Sequence, residues 1–453
     1  MTITDSAMHR AHGHSPEPTT AWPGLDEVPS GARARVSAAV AKRIFAHAVR
    51  RLGITVETGG HLHADQGHAG QGYAGQIHDA SPGADARPTI ALNRPDEFFA
   101  RVGTDGLIGF GEGYLTGAWD SPDLDLLLTT MATEITTIVP DWMQRLRSVW
   151  QARMPQSHRN SEDHTRDNIS HHYDLSNELF ATFLDETLSY SSALFESEVE
   201  SRPGLTTAGV PTSRDLAEGQ VRKIERLLDR AGVGEGSRVL EIGTGWGELA
   251  IRAARRGATV RSVTLSVEQQ ELARQRIAAA GFADRVDIDL LDYRQVVGTY
   301  DAVVSVEMIE AVGHEFWPTY FAKIDSLLAP AGLVAIQAIT MPHDRMLATR
   351  GGFTWINKYV FPGGFLPSTE AVEQVTAEHT SLRVTDRLSF GLHYAETLRQ
   401  WDEAFGAARA DVRRLGFDAV FERLWHFYLA YSRAGFAAGY LDVQQFTLAR
   451  DTA

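Results

Sequence analysis

Residues 238–248 run Arg-Val-Leu-Glu-Ile-Gly-Thr-Gly-Trp-Gly-Glu. An apolar run, Val239, Leu240 and Ile242, stops at Gly243, Gly245 and Gly247, and a helical pattern begins at Leu249. A strand, a glycine turn and a helix make a ligand cradle. Glycine lets the backbone turn sharply and come close to a ligand, and a helix start offers free N–H groups. The spacing is E-x-G-x-G-x-G, not the G-x-G-x-x-G of dinucleotide folds. A flavin or nicotinamide loop, or a plain tight turn, draws on the same residue types. Glu241, Thr244 and Trp246 stand within the cradle and are candidate contacts.

The segment resembles motif I of the class I S-adenosylmethionine (SAM) methyltransferases, whose loop takes the amino-acid part of the cofactor. A ligand of an open α/β sheet lies across the carboxyl ends of the strands. The second strand ends in Thr264-Leu265-Ser266 with no acid for a ribose, so Gln269 is the expected polar contact and Ser266 the expected helix cap. The third ends at Asp292-Tyr293, an acid and an aromatic suited to adenine. The fourth runs into Ser305-Val306-Glu307-Met308-Ile309-Glu310, with His314 beyond.

Elements must hold these loops in place. Strands are expected near Arg238–Ile242, Thr259–Leu265, Val286–Leu291, Ala302–Val306 and Leu333–Ile339, with helices between them. That alternation predicts a doubly wound parallel sheet over 171–453. Ahead of it, residues 31–145 suggest a smaller α+β domain. Residues 33–52 form a locally basic helix with Val36, Val40, Ile44, Ala48 and Leu52 at helical spacing, 88–95 a strand, and 96–102 and 123–132 helices. Residues 1–30 read as a disordered tail, 57–86 as a flexible Gly- and His-rich insertion, and 146–170 as a linker. His61, His63, His68 and His78 in the insertion are not expected to form a functional metal site.

Composition narrows the function. The 453-residue chain has no cysteine, which removes disulfides and thiolate chemistry. A net charge of −15 argues against nucleic acid as a partner, and any contact with an anionic membrane must be local. The first residues lack the apolar core of a signal peptide and no run is long enough to span a bilayer, so a cytoplasmic protein is expected.

Several further segments sharpen the resemblance. HHYDLSNELFATFLDETLSYSSALF (171–195), LEIGTGWGE, TLSVEQ, SVEMIEAVGHE, WINKYVFPGGFLPS (355–368), HYAETLRQW (393–401) and FYLAYSRAGF (427–436) look like the cyclopropane fatty acid synthase family, which includes mycolic acid methyltransferases and actinobacterial fatty acid methylases. GLIGFGEGYLTGAWD and DLDLLL resemble that family's smaller lipid-binding domain more weakly.

The resemblance implies methyl transfer from SAM to a cis double bond of a monounsaturated acyl chain on a phospholipid, with the enzyme at the inner face of the membrane. The alkene attacks the sulfonium methyl and a carbocation remains, from which a base takes a proton. The family's base is thought to be a bound bicarbonate, held here by the positions of Ser192, Glu310, Gln337, Tyr394 and the backbone of Ile339. Ser192 and Gln337 stand where many members carry Cys and His, which puts the anion's affinity in doubt. Tyr190 and Ser191 are expected beside the cofactor. Tyr190, Trp355, Tyr359 and Phe361 are candidates to shield the cation, and His314 is an alternative base. Direct proton loss closes a cyclopropane, whereas a prior hydride shift gives a methylene branch, which a partner reductase could saturate. The EMIEAVGHE and IQAIT segments favour the methylene product. A cyclopropane synthase, a non-catalytic lipid-binding protein and a small-molecule methyltransferase are the rival readings, and a homo-oligomer stays open.

Overall fold

The computed structural model describes residues 22, 24–58, 87–134 and 176–451. The histidines of the insertion, the expected linker and residues 171–175 lie outside these.

Nine strands form one sheet in the order β4-β5-β11-β12-β10-β9-β6-β7-β8. Five are the strands expected from sequence: β6 (Arg238–Ile242), β7 (Thr259–Thr264), β8 (Val286–Leu290), β9 (Tyr300–Val306) and β10 (Leu328–Thr340). They pair in parallel. Their order, third-second-first-fourth-fifth, puts the switch point between β6 and β9, where a crevice opens at the carboxyl ends. Helices cover both faces, so β6 and β9 read as nearly continuous apolar runs.

Four strands were not expected. β4 (Ser197–Arg202) and β5 (Leu205–Pro211) form a hairpin at one edge. β11 (Leu382–Ser389) and β12 (Asp442–Arg450) complete the sheet, and β12 is antiparallel to both its neighbours. The sheet is therefore mixed, with its parallel half as predicted.

The helices, in chain order, are α1 (Gly31–Leu52), α2 (Pro95–Asp105), α3 (Leu107–Leu115), α4 (Leu124–Thr133), α5 (Asn177–Ala181), α6 (Leu216–Arg230), α7 (Glu248–Arg255), α8 (Val267–Ala279), α9 (Ile309–Val312), α10 (Trp317–Leu327), α11 (His343–Thr349), α12 (Trp355–Tyr359), α13 (Thr369–His379), α14 (Gly391–Ala407), α15 (Arg409–Arg414) and α16 (Ala419–Ala437). The N-terminal helices α1–α4 accompany a second, three-stranded sheet of β1 (Thr55–Thr58), β2 (Thr89–Leu92) and β3 (Trp119–Asp120).

Three expectations for this N-terminal part are corrected. α1 forms, but it turns small residues inward: Ala34, Ser37 and Ala41 are buried, whereas Val36 and Val40 are exposed. Close packing on α2 selects small side chains over the apolar stripe. α3 is a helix despite its three glycines. A side-chain carbon at Gly111 would lie 2.4 Å from the Trp355 ring, so the absence of one lets α12 dock. Within the expected tail, Leu25 is 3% exposed and its carbonyl accepts from Arg101 at 2.5 Å, and Trp22 Nε1 donates to Asp418 at 3.0 Å.

One apolar core runs through both parts. It joins Phe98, Phe110 and Trp119 to Trp401, Trp425 and Phe427. Arg423 on α16 clamps the joint by ion-pairing with Asp120 at 3.1 Å and lying 4.0 Å over the Tyr114 ring.

Candidate active site

The glycine loop follows β6. Gly243, Gly245 and Gly247 have φ of 96°, 51° and 88°, in the left-handed region. A side-chain carbon at Gly243 would collide with Met308 at 2.5 Å, whereas one at Gly245 would meet nothing within 4 Å. Gly245 thus borders open space at the switch point, as a cofactor cradle requires.

Glu241 supports this loop from within the sheet. Its carboxylate accepts from Ser262 Oγ at 2.6 Å, and Ser262 Oγ lies 2.7 Å from Thr244 Oγ1. Burial pushes the Glu241 carboxyl up to about 8, so near neutral pH it is a proton-bearing strut. Trp246 is buried, donates to Asn177 Oδ1 at 2.8 Å and packs on Phe180 at 5.0 Å. It anchors the loop to α5.

Other expected contacts divide in the same way. Ser266 caps α8 through the Gln269 N–H, as expected, and Gln269 Oε1 accepts from Thr264 Oγ1 at 3.0 Å. Leu265, between them, is half-buried. Asp292 accepts from the Arg294 N–H and guanidinium. Tyr293 is buried against Tyr320 at 5.4 Å, within the core. These residues shape the strand ends, with the Tyr293 ring packed on the core beneath them.

The expected anion site assembles around a residue that was not named for it. Glu307 ends β9 with φ of 49°, a left-handed backbone rare for a side-chain-bearing residue. Its Oε1 accepts from the Ser192 N–H at 3.0 Å and from Gln337 Nε2 at 2.8 Å, and its Oε2 from Tyr394 Oη at 2.7 Å. Glu310, one turn on, accepts the Ile339 N–H at 2.5 Å on Oε1, while its buried Oε2 has no partner among the described residues. All four donors assigned to bicarbonate are thus directed at protein carboxylates.

A resident bicarbonate does not fit this arrangement. Its donors are occupied, and it would be a further anion beside two acidic side chains in a poorly solvated place. Ser192 contributes its N–H rather than its hydroxyl, which donates to the Ala193 carbonyl.

The two acids differ in environment. Burial raises both carboxyls. For Glu307 this is opposed by the hydrogen bonds from Gln337 and Tyr394, by the buried Lys223 ammonium and by the Ser192 N–H. Glu310 is raised further by Glu307's charge, to about 8. Three donors and the nearby ammonium favour the charged form of Glu307, whereas Glu310, with one donor and a like charge beside it, favours the neutral acid near pH 7. Lys223 was also unforeseen. It is 1% exposed, donates to Ser191 Oγ at 2.6 Å, and burial lowers it to about 8.

Aromatic rings crowd the same place. Tyr394 packs on Phe436 at 4.5 Å and Trp401 at 6.2 Å; Tyr190 stacks on Trp401 at 5.2 Å and shares a 2.9 Å hydrogen bond with Tyr428. Phe361 meets Tyr428 at 5.8 Å. Tyr190 and Phe361 thus join the group as expected. Trp355 and Tyr359 instead pack against the N-terminal part, where Tyr359 Oη and Lys358 Nζ both donate to Glu112, at 2.8 and 2.5 Å. His314 pairs with Glu315 at 3.1 Å and lies 5.3 Å from the Phe365 ring.

The comparisons with known proteins agree with this architecture. A family model described as mycolic acid cyclopropane synthetase matches residues 160–446. The tuberculostearic acid methyltransferase UfaA1 of Mycobacterium tuberculosis is 52% identical over 431 residues, 95% of each chain. The cyclopropane-fatty-acyl-phospholipid synthase of Escherichia coli is 31% identical over 365 residues, 80% of this chain and 87% of that one. Among solved structures, the cyclopropane synthase MmaA2 from M. tuberculosis matches with a TM-score of 0.56 at 31% identity, over 63% of this chain and 98% of that one. The mycolic acid cyclopropane synthase CmaA1, solved with SAH and CTAB, matches at 0.55 and 31%, over 62% and 97%. With its SAM-methyltransferase sheet, its glycine cradle and these relatives, the chain belongs to the mycolic acid cyclopropane synthetase family, SAM-dependent enzymes that methylate or cyclopropanate unsaturated fatty acyl chains.

Proposed function

We propose that this enzyme methylates the cis double bond of a monounsaturated acyl chain carried on a membrane phospholipid and releases a methylene-branched chain. The observation that carries the reading is the meeting of an open glycine cradle with a buried acid pair ringed by aromatics. The alkene π-pair attacks the SAM methyl carbon as the C–S bond breaks, with its electron pair leaving on sulfur. The cation left on the neighbouring carbon finds ring faces that favour positive charge and exclude water. A hydride from the methyl-bearing carbon then moves to the cation, and loss of a methyl proton forms a double bond between that carbon and the former methyl carbon, the methylene branch. A relative at 52% identity named as a tuberculostearic acid methyltransferase favours this product over the ring.

The substrate and its location are argued from α1. Val36 and Val40 are 67% and 46% exposed on a helix whose Arg33, Arg35, Lys42, Arg43, Arg50 and Arg51 are also exposed. Apolar side chains among cations suit the surface of an anionic bilayer. Among the described residues no helix is long and apolar enough to cross a membrane.

The experiment is incubation with methyl-labelled SAM and vesicles of monounsaturated phospholipid, followed by gas chromatography of the acyl methyl esters. Label in a methylene-branched ester is the expected result. Label in a cyclopropane ester would overturn the product, and label only in free fatty acid would overturn the phospholipid substrate.

A further inference from the structure

We infer that Glu307 is the general base of this enzyme, taking on its Oε2 the proton that the methylated acyl cation gives up. This rests on the methyl-transfer reading above and replaces an external anion with a side chain.

The lone pairs identify the atom. A carboxylate oxygen offers two acceptor positions. Oε1 of Glu307 fills both, with the Ser192 N–H and Gln337 Nε2. Among the described residues, Oε2 accepts only from Tyr394 Oη. One position on Oε2 therefore stays open, and Glu307 is only half-buried.

The surroundings hold that oxygen still. The donors come from three separate elements: the loop after α5, β10 and α14. Gln337 is itself oriented from behind. Gln445 Nε2 on β12 donates to Gln337 Oε1 at 3.0 Å, and Arg226 on α6 donates to Gln445 Oε1 at 2.7 Å. Arg226 also pairs with Asp386 at 3.1 Å. This relay fixes the amide with its N–H₂ toward Glu307. A histidine at 337 could gain or lose a proton, whereas glutamine can only orient.

The left-handed backbone supports a functional reading. A non-glycine residue held there costs about 1–3 kcal/mol and persists only where its surroundings over-determine it. Here those surroundings aim a carboxylate at Tyr394, whose ring packs on Trp401, which in turn stacks on Tyr190. Glu310 is a poorer base at neutral pH because it keeps its proton. The step balances. A C–H bond of the transferred methyl breaks, its electron pair forms the new carbon–carbon bond, and the proton joins Oε2. Once product has left, the proton passes from Oε2 to solvent across the partly open face of Glu307.

The test uses the full-length enzyme, labelled SAM and monounsaturated phospholipid vesicles in buffer stripped of carbonate. Wild-type turnover should be the same with and without added sodium bicarbonate. Glu307→Gln should bind SAM normally by calorimetry yet lose on the order of 10²–10⁴ in turnover, the span a positioned base contributes. Glu307→Gly leaves the donors facing a space of carboxylate size, and bicarbonate or formate should restore part of its turnover. Tyr394→Phe, which removes a donor from the anion, should move the acid limb of the pH–rate profile upward by about one to two units.

Strong stimulation of the wild type by bicarbonate would overturn the proposal, and so would full turnover in a SAM-binding Glu307→Gln. Should Glu307→Gln fail to fold, the wild-type bicarbonate measurement decides alone. A wild type that transfers no methyl to any acyl chain would instead bring down the function proposed above.

Discussion

Gly245 is the loop glycine with the most open space beside its backbone. Its φ of 51° lies in a region that aspartate also tolerates, and nothing stands within 4 Å of the missing side chain. Gly245→Asp should therefore fold and fail in one respect only: SAM affinity should fall by about a hundredfold or more, about 2.7 kcal/mol. Titration calorimetry on the folded variant checks this, and unchanged affinity would remove the loop from the cofactor site. At this scale residue type and spacing made the glycine turn and the Ser266 cap legible, whereas Tyr394 came only from the family resemblance. Glu307 escaped although it sits three residues before Glu310 in the same segment. Its role depends on a backbone torsion that turns the carboxylate toward three donors far apart in sequence, and no local pattern encodes that.

Among the elements, the edge hairpin β4–β5 depends on one buried histidine. His393 on α14 is 0% exposed; its Nδ1 accepts the Phe195 N–H at 2.9 Å and its Nε2 lies 3.1 Å from the Gly209 carbonyl. The Phe195 donor fixes the tautomer, so Nε2 carries the proton and donates to Gly209. Burial lowers His393 to about 4 from an ordinary 6.5. Its neutral form is the folded form. Between those values the unfolded chain binds the extra proton, so this contribution to stability is present above pH 6.5 and is lost as pH falls toward 4. His393→Phe should cost about 2–3 kcal/mol by leaving two buried backbone groups unpaired, and should flatten the pH dependence of denaturant unfolding over that window. An unchanged slope would remove His393 as its source. The hairpin, β11 and β12 were the part of the sheet that sequence did not show. The parallel strands announce themselves as apolar runs between helices, whereas β12 mixes Gln444 and Gln445 into its core-facing run because they serve Thr369 and Gln337. Likewise α3 hid behind glycines that exist to admit Trp355.

At the scale of the whole molecule, the basic face of α1 and the shared core make opposite demands. The chain carries a net charge of −15, so an anionic bilayer repels most of its surface. On the proposed membrane contact, attraction is concentrated on α1. Arg43→Glu, Arg50→Glu and Arg51→Glu combined should abolish co-sedimentation with anionic vesicles while leaving SAM affinity unchanged, because α1 lies apart from the glycine loop. Binding at wild-type strength would remove α1 as the contact. The core that joins Phe98 and Phe110 to Trp425 and Phe427 means that this docking helix is not loosely tethered. It shares a packed interior with α16, whose Tyr428 meets Tyr190 beside the acid pair.

The torsion at Glu307 carries a warning for anyone breeding this protein for heat resistance. Glycine there would release about 1–3 kcal/mol of backbone strain and relieve the desolvation of a carboxylate, with water entering the vacated space to accept from Ser192, Gln337 and Tyr394. A library sorted on folding alone would enrich Glu307→Gly, and each winner would have discarded its proton acceptor. Durability and turnover pull against each other at a single codon. Selection has to score the lipid made, not the amount of protein recovered, if both are to be kept.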